Sequence, residues 1–162
     1  MIKKIKASLS EKLLLTFVVV LAIFTFGSFF SIKNKCLFVK KYDPKNLKFE
    51  KPKNIAVLNA PCGNVIIELY PELAPNSVDR FRMLINKGEY DSVSFHRVIK
   101  DVLVQSGDLE FGKKDNYNYL YIGSGKTKYG TINSELNNQT EFKIGTVGMA
   151  RTRKLNTEDS QF

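Results

Sequence analysis

The sequence predicts a small, mainly β domain with one amphipathic helix, carried behind a single membrane-spanning segment. Three features point there: an uncharged run of 20 residues from Leu13 to Ile32, one stretch with apolar residues at helical spacing, and several short Val/Ile-rich segments parted by turn residues. With 162 residues the chain has room for one domain and an appendage. Its proportions, 43% apolar and 25% charged, are those of a globular protein and argue against global disorder.

The first element is the apolar run LLLTFVVVLAIFTFGSFFSI. A helix of that length rises about 1.5 Å per residue and spans roughly 30 Å, the thickness of a bilayer's hydrocarbon core. It has no polar face, which argues against a core helix of a soluble domain. Ser8-Leu9-Ser10-Glu11 ahead of it has the form of a capping box. Lys3, Lys4, Lys6 and Lys12 precede the run, as in a segment whose N-terminal end is held on the cytoplasmic side. The run is longer than a signal peptide's apolar region and ends in Phe29 and Phe30 rather than in small residues, which favours an uncleaved signal-anchor over a cleaved signal. Six lysines between Lys33 and Lys48 follow it, so charge alone leaves the sidedness open. Residues 1–12 are then a basic flank, 13–32 the transmembrane helix, 33–53 a lysine-rich linker with Pro44 and Pro52, and 54–162 the domain.

The formal charge of +9 belongs to the tail. Residues 1–53 hold 12 of the 25 Lys and Arg but 3 of the 16 Asp and Glu, whereas residues 54–162 hold 13 of each sign. A neutral domain offers no basic face of the kind nucleic acid requires, so no nucleic-acid partner is expected. Cys36 and Cys62 are too few for a disulfide framework, and one bridge or two free thiols fit the sequence equally. With one histidine, His96, and no clustered soft ligands, no metal site is expected.

Within the domain, Ile55–Ala60 and Val65–Tyr70 flank Pro61-Cys62-Gly63-Asn64, a hairpin signal. Val78, Phe81, Leu84 and Ile85 fall at helical spacing between Pro75 and Gly88, predicting about three turns of helix. Val93–Ile99, Val102–Ser106, Tyr117–Ile122 and Gly145–Ala150 read as further strands of a mainly antiparallel sheet or barrel.

Three stretches carry more than periodicity. Ser94-Phe95-His96-Arg97-Val98-Ile99 is followed by Val104-Gln105-Ser106-Gly107-Asp108. Gly145-Thr146-Val147-Gly148-Met149-Ala150-Arg151 comes later, then Asp159-Ser160-Gln161-Phe162. Together they resemble the FHRVI…QxGD, GT(V/I)xMAR and SQF signatures of the cyclophilin-type peptidyl-prolyl isomerases, over about Ile55 to Phe162. The resemblance implies a cyclophilin-like antiparallel β-barrel with a capping helix. It also implies an isomerase of X-Pro bonds, acting as a monomer on proline-containing polypeptides and needing no cofactor. Exported members of the family make the exported side the expected place for the domain.

The chemistry suits those residue types. Rotation about an X-Pro bond must break amide resonance against a barrier of about 18–20 kcal/mol. Acceleration needs a dry slot for the ring, hydrogen bonds fixing the flanking backbone, and a donor aimed at the prolyl nitrogen. That nitrogen gains lone-pair character only when the bond is twisted, so such a donor favours the transition state. By resemblance Arg97 is the catalytic donor, its guanidinium rigid and permanently charged. Gln105 and Gln161 are substrate-binding, and Met149, Ala150 and Arg151 border the groove. Phe95 and Met149 read as core-facing. His96 reads as a satisfied core group, not a general base.

Two departures qualify the resemblance. Lys100-Asp101-Val102-Leu103 stands where the family usually has Pro-Gly-Phe-Met, so Val102 and Leu103 line the proline pocket with less surface than an aromatic gives. SQF is normally followed by roughly a further third of the domain. The resemblance therefore implies a partial domain, either a piece of a longer product or a weak or inactive remnant, with unpaired strand edges. Three functions stay open at this point: an isomerase, a membrane-tethered peptide-binding module with little turnover, or a remnant.

Overall fold

A computed structural model of the chain describes residues 8–33, 36, 43–136 and 140–162. The basic flank up to residue 7 and linker residues 34, 35 and 37–42 lie outside the described residues. The described chain forms two compact units, one holding the segment up to residue 48 with residues 57–66, the other residues 49–56 with 67–162.

The first unit contains helix α1, Leu9–Lys33, which is longer than the apolar run because the turn before it and Lys33 after it continue the helix. Its start is the capping box the sequence predicts: Ser8 N–H donates to Glu11 Oε2 at 2.7 Å, and Glu11 N–H donates to Ser8 Oγ at 3.3 Å. Thr16 and Thr25 turn their hydroxyls back onto the carbonyls of Lys12 and Leu21, which satisfies both donors inside the apolar run. α1 is long and apolar enough to cross a membrane and buries none of its residues against protein. The same unit holds the Cys36–Cys62 disulfide, which closes a loop across a sequence separation of 26. Of the two thiol states open in the sequence, the bridged one is present.

Strands β1 (Ile55–Ala60) and β2 (Gly63–Glu68) pair as a two-stranded sheet. β2 starts two residues earlier than the sequence predicts, because the turn is the tight pair Pro61-Cys62 rather than a four-residue loop.

In the second unit, α2 (Pro75–Asn86) begins at the predicted proline. Its cap position is Ala74, which has no side chain to satisfy the orphan amides. Glu135 does this from a distant loop, accepting from Asn76 N–H at 2.7 Å and Ser77 N–H at 2.8 Å. At the other end Gly88 adopts φ +67, while Gly88 N–H reaches Ile85 O and Glu89 N–H reaches Leu84 O. That is a Schellman ending, as Gly88 in the sequence suggests. Val78, Phe81 and Leu84 form the buried face of α2, and Phe81, Tyr90 and Phe162 pack as three rings with centroids 5.1–5.3 Å apart.

Strands β3 (Arg97–Ile99) and β4 (Leu103–Gln105) pair antiparallel, Arg97 opposite Gln105 and Ile99 opposite Leu103. Among the described residues the regular pairing is limited to these two short sheets and two isolated bridges, Val93 with Lys113 and Ile132 with Glu158. Two predicted strands are absent. Tyr117–Ile122 folds into turns because Asn118 collects it: its carbonyl accepts from Tyr121 and Ile122, and its side chain accepts from Leu120 N–H. Gly145–Ala150 is irregular, entered by a turn from Lys143 O to Thr146 N–H, and it shares one backbone bond with Gln161.

Candidate active site

The β3–β4 ladder determines where the site lies. Arg97 and Gln105 are directly opposite in the register, so their side chains leave the same face. Arg97 Nη1 donates to Gln105 Oε1 at 3.3 Å, and Gln105 Nε2 donates to Gln161 Oε1 at 2.9 Å. Gln161 Nε2 in turn donates to the carbonyls of Gly123 at 3.1 Å and Gly125 at 3.4 Å. Three residues that the sequence singled out, one on β3, one on β4 and one beside Phe162, thus form one hydrogen-bonded row.

Gln161 reaches the row because its backbone is clamped on both sides. Ser106 and Phe162 exchange two backbone bonds at 2.9 and 3.1 Å, Ala150 N–H donates to Gln161 O at 2.7 Å, and buried Ser160 donates its hydroxyl to Gly107 O. One step back, Asp159 pairs with Arg80 at 3.0 Å, with both side chains about 10% exposed or less. Behind the Gly123–Gly125 turn lies Asp108, fully buried. Its carboxylate accepts four backbone N–H bonds, from Glu110 and Phe111 on Oδ1 and from Gly123 and Gly125 on Oδ2. Asp108 closes the Val104–Asp108 stretch, and nothing adjacent to it in the sequence announces this role. The signal was the Gly-Ser-Gly at 123–125, where a Cβ on Gly125 would overlap the carboxylate.

The other sequence-predicted residues divide. Ala150 is joined to the row through its backbone bond to Gln161. Met149 and Arg151 line an open groove of about 580 Å³ together with Leu69, Phe81, Val147 and Phe162. The Arg151 side chain faces Glu158 at 3.7 Å and donates to Thr152 O. Leu103 is half-buried on the ladder, whereas Val102 lies in the β3–β4 turn and is 72% exposed. That turn passes through Asp101 in a left-handed conformation, φ +59. Phe95 is 41% exposed, correcting its reading as a core residue, while Met149 is half-buried.

His96 also needs correction. It sits beside Gly123, and neither ring nitrogen, though shielded from solvent, has a hydrogen-bond partner of good geometry. Burial lowers its pKa below the ordinary histidine value, partly opposed by the Asp108 charge. With both ring nitrogens shielded from solvent, neither is presented to a substrate as a general base.

The row runs from half-buried Gln161 and Gln105 to an exposed guanidinium, with Arg97 retaining N–H groups not used by Gln105. The class defined by this ladder and row is a small antiparallel β domain with a polar row on one face. The comparisons name its family. The model for the cyclophilin type peptidyl-prolyl cis-trans isomerase/CLD family matches residues 55–162. The chain belongs to that family. It is 38% identical over 112 residues to a protein of Brucella suis named "Probable peptidyl-prolyl cis-trans isomerase", covering 68% of this chain and 57% of that one. A peptidyl-prolyl cis-trans isomerase of Acinetobacter baylyi is 33% identical over 100 residues, covering 62% and 48%. The chain therefore spans about half the length of the curated relatives it matches.

Proposed function

We propose that the chain is a membrane-anchored peptidyl-prolyl cis-trans isomerase acting on proline-containing polypeptides on the exported side of the membrane. The observation that carries this is the row Arg97–Gln105–Gln161 on one face of β3–β4. A peptide laid along the row has its backbone held by the glutamine amides, and the guanidinium meets the prolyl nitrogen as the amide twists. The row then binds the twisted bond more tightly than the planar one, which is what acceleration requires. No proton transfer, metal or cofactor enters, because the reaction makes and breaks no covalent bond. Val102, Leu103, Met149, Ala150 and Arg151 are the proposed borders of a substrate groove beside the row, and the chain works as a monomer. The cyclophilin-like antiparallel barrel belongs to the same proposal, supported by the family match and the antiparallel β3–β4 ladder. The apolar helix α1 supports the anchor.

A second reading, a peptide-binding module with little turnover, is favoured by one observation. Val102, proposed to wall the proline ring, stands 72% exposed in a turn and encloses little. Titrating the full chain, held in detergent micelles or nanodiscs, into an isotope-labelled proline peptide separates the two. Isomerase action broadens or exchanges the cis and trans signals at substoichiometric protein. Binding with cis/trans exchange left at the uncatalysed tens-of-seconds scale selects the second reading and overturns the first.

A further inference from the structure

Asp108 lies behind the row and touches no open surface, yet it holds the turn whose carbonyls the row ends on. We infer that Asp108 is a positioning residue for the candidate active site, acting through the Gly123 and Gly125 carbonyls to set the amide orientation of Gln161 and then Gln105. The inference rests on the isomerase reading for its kinetic consequences and on the hydrogen-bond geometry for the orientation itself.

The chain of causes runs through four links. Asp108 Oδ2 accepts from Gly123 N–H at 2.7 Å and Gly125 N–H at 3.0 Å, and so pins both ends of the turn to one buried anion. Charge-assisted bonds of this type are the stronger kind, and a fully buried carboxylate demands them. Pinned this way, the two glycines turn their carbonyls toward Gln161, where both accept from Nε2. A glutamine amide has one donor end and one acceptor end, so two carbonyls on one side leave only one orientation without repulsion. Gln161 must therefore offer Oε1 to Gln105, and Gln105, having spent Nε2 there, must offer Oε1 to Arg97.

The consequence is specific. Flip either amide and the acceptor that steadies Arg97 becomes a donor facing a cation. Gly125 has to be glycine for the same reason, since any side chain there would displace the carboxylate. With every amide dipole aligned between the Arg97 cation and the Asp108 anion, each bond polarises the next.

The test is a double-mutant cycle between Asp108→Asn and Gln161→Ala in the full chain, read as catalysed cis/trans exchange on a proline peptide. Near-UV circular dichroism of the tyrosines checks that each variant is folded. Positioning predicts that Asp108→Asn slows exchange about tenfold with Gln161 present and less than about twofold when residue 161 is alanine. An equal loss in both backgrounds overturns it, since a merely structural carboxylate acts regardless of Gln161. If Asp108→Asn does not fold, the unmodified chain decides the matter by NMR. Positioning predicts nuclear Overhauser contacts from the Gln161 side-chain amide to the Gly123 and Gly125 α-protons, and a freely rotating amide without them overturns it. This second readout needs no turnover, so failure of the isomerase reading and failure of the positioning inference are told apart.

Discussion

Arg80→Met tests whether the segment carrying Gln161 is held by a buried ion pair. Arg80 Nη1 donates to Asp159 Oδ1 at 3.0 Å and to Gly130 O at 2.6 Å, while Nη2 donates to Tyr129 O at 3.2 Å. Methionine keeps the apolar stem and removes every one of those donors. Breaking a buried pair by deleting one partner typically costs about 3–5 kcal/mol, because the other charge is left buried. Asp159 retains Thr127 N–H at 2.7 Å and the Thr127 hydroxyl, so the lower end of that range applies, about 3 kcal/mol. For a domain of this size that corresponds to a fall in Tm of about 12–24 °C. The assay is thermal unfolding of the full chain in detergent, followed by tyrosine near-UV circular dichroism. A loss under about 1 kcal/mol would refute the reasoning, showing that Asp159 is satisfied without the guanidinium.

Two predictions concern pH. Burial raises the Glu135 pKa, but the hydrogen bonds from Ser77 and Asn76 outweigh it and leave the carboxyl below its ordinary value. A lowered folded pKa gives stability that is complete above the ordinary carboxylate range and is lost as pH falls through the folded value. Glu135→Gln should therefore narrow the gap to the unmodified chain as urea unfolding is repeated at falling pH, and a gap that does not change with pH would contradict this. Burial shifts His96 toward the neutral ring, so at pH 6.5 its nitrogen shifts should lie nearer the neutral form than those of an unfolded histidine, and catalysed exchange should be flat from about pH 6.5 to 8.5. A bell-shaped profile centred near neutrality would mean a titrating group takes part.

Sequence and structure agree where local chemistry is self-sufficient. The capping box at Ser8 and Glu11, the Pro75 start and the Gly88 stop are each settled by a few neighbouring residues, and each is where the spacing places it. The strands carrying Arg97 and Gln105 were legible too, each shorter in the structure than its apolar run, but the register that sets the two residues opposite each other was not. What was not legible depended on distant partners. Glu135 caps α2 across 59 residues, and nothing near Ala74 announces it. Asn118 draws the aromatic alternation of Tyr117–Ile122 into turns, because its side chain competes for the backbone that a strand would use. Phe95 and Val102 looked apolar enough to be enclosed, yet both stand exposed, since their hydropathy says nothing of what the surrounding chain supplies. The role of Asp108 required knowing that Gly123 and Gly125 return to it.

The central claim is that the Arg97 guanidinium stabilises a twisted prolyl amide rather than merely gripping the peptide. The most direct measurement compares Arg97→Ala with the unmodified chain at saturating proline peptide, taking cis/trans exchange and peptide affinity from the same NMR titration. Loss of a charged donor seen only by the transition state predicts exchange slower by about 10²–10³-fold with affinity changed by less than about threefold. Affinity that collapses while exchange per bound peptide holds its rate would contradict it.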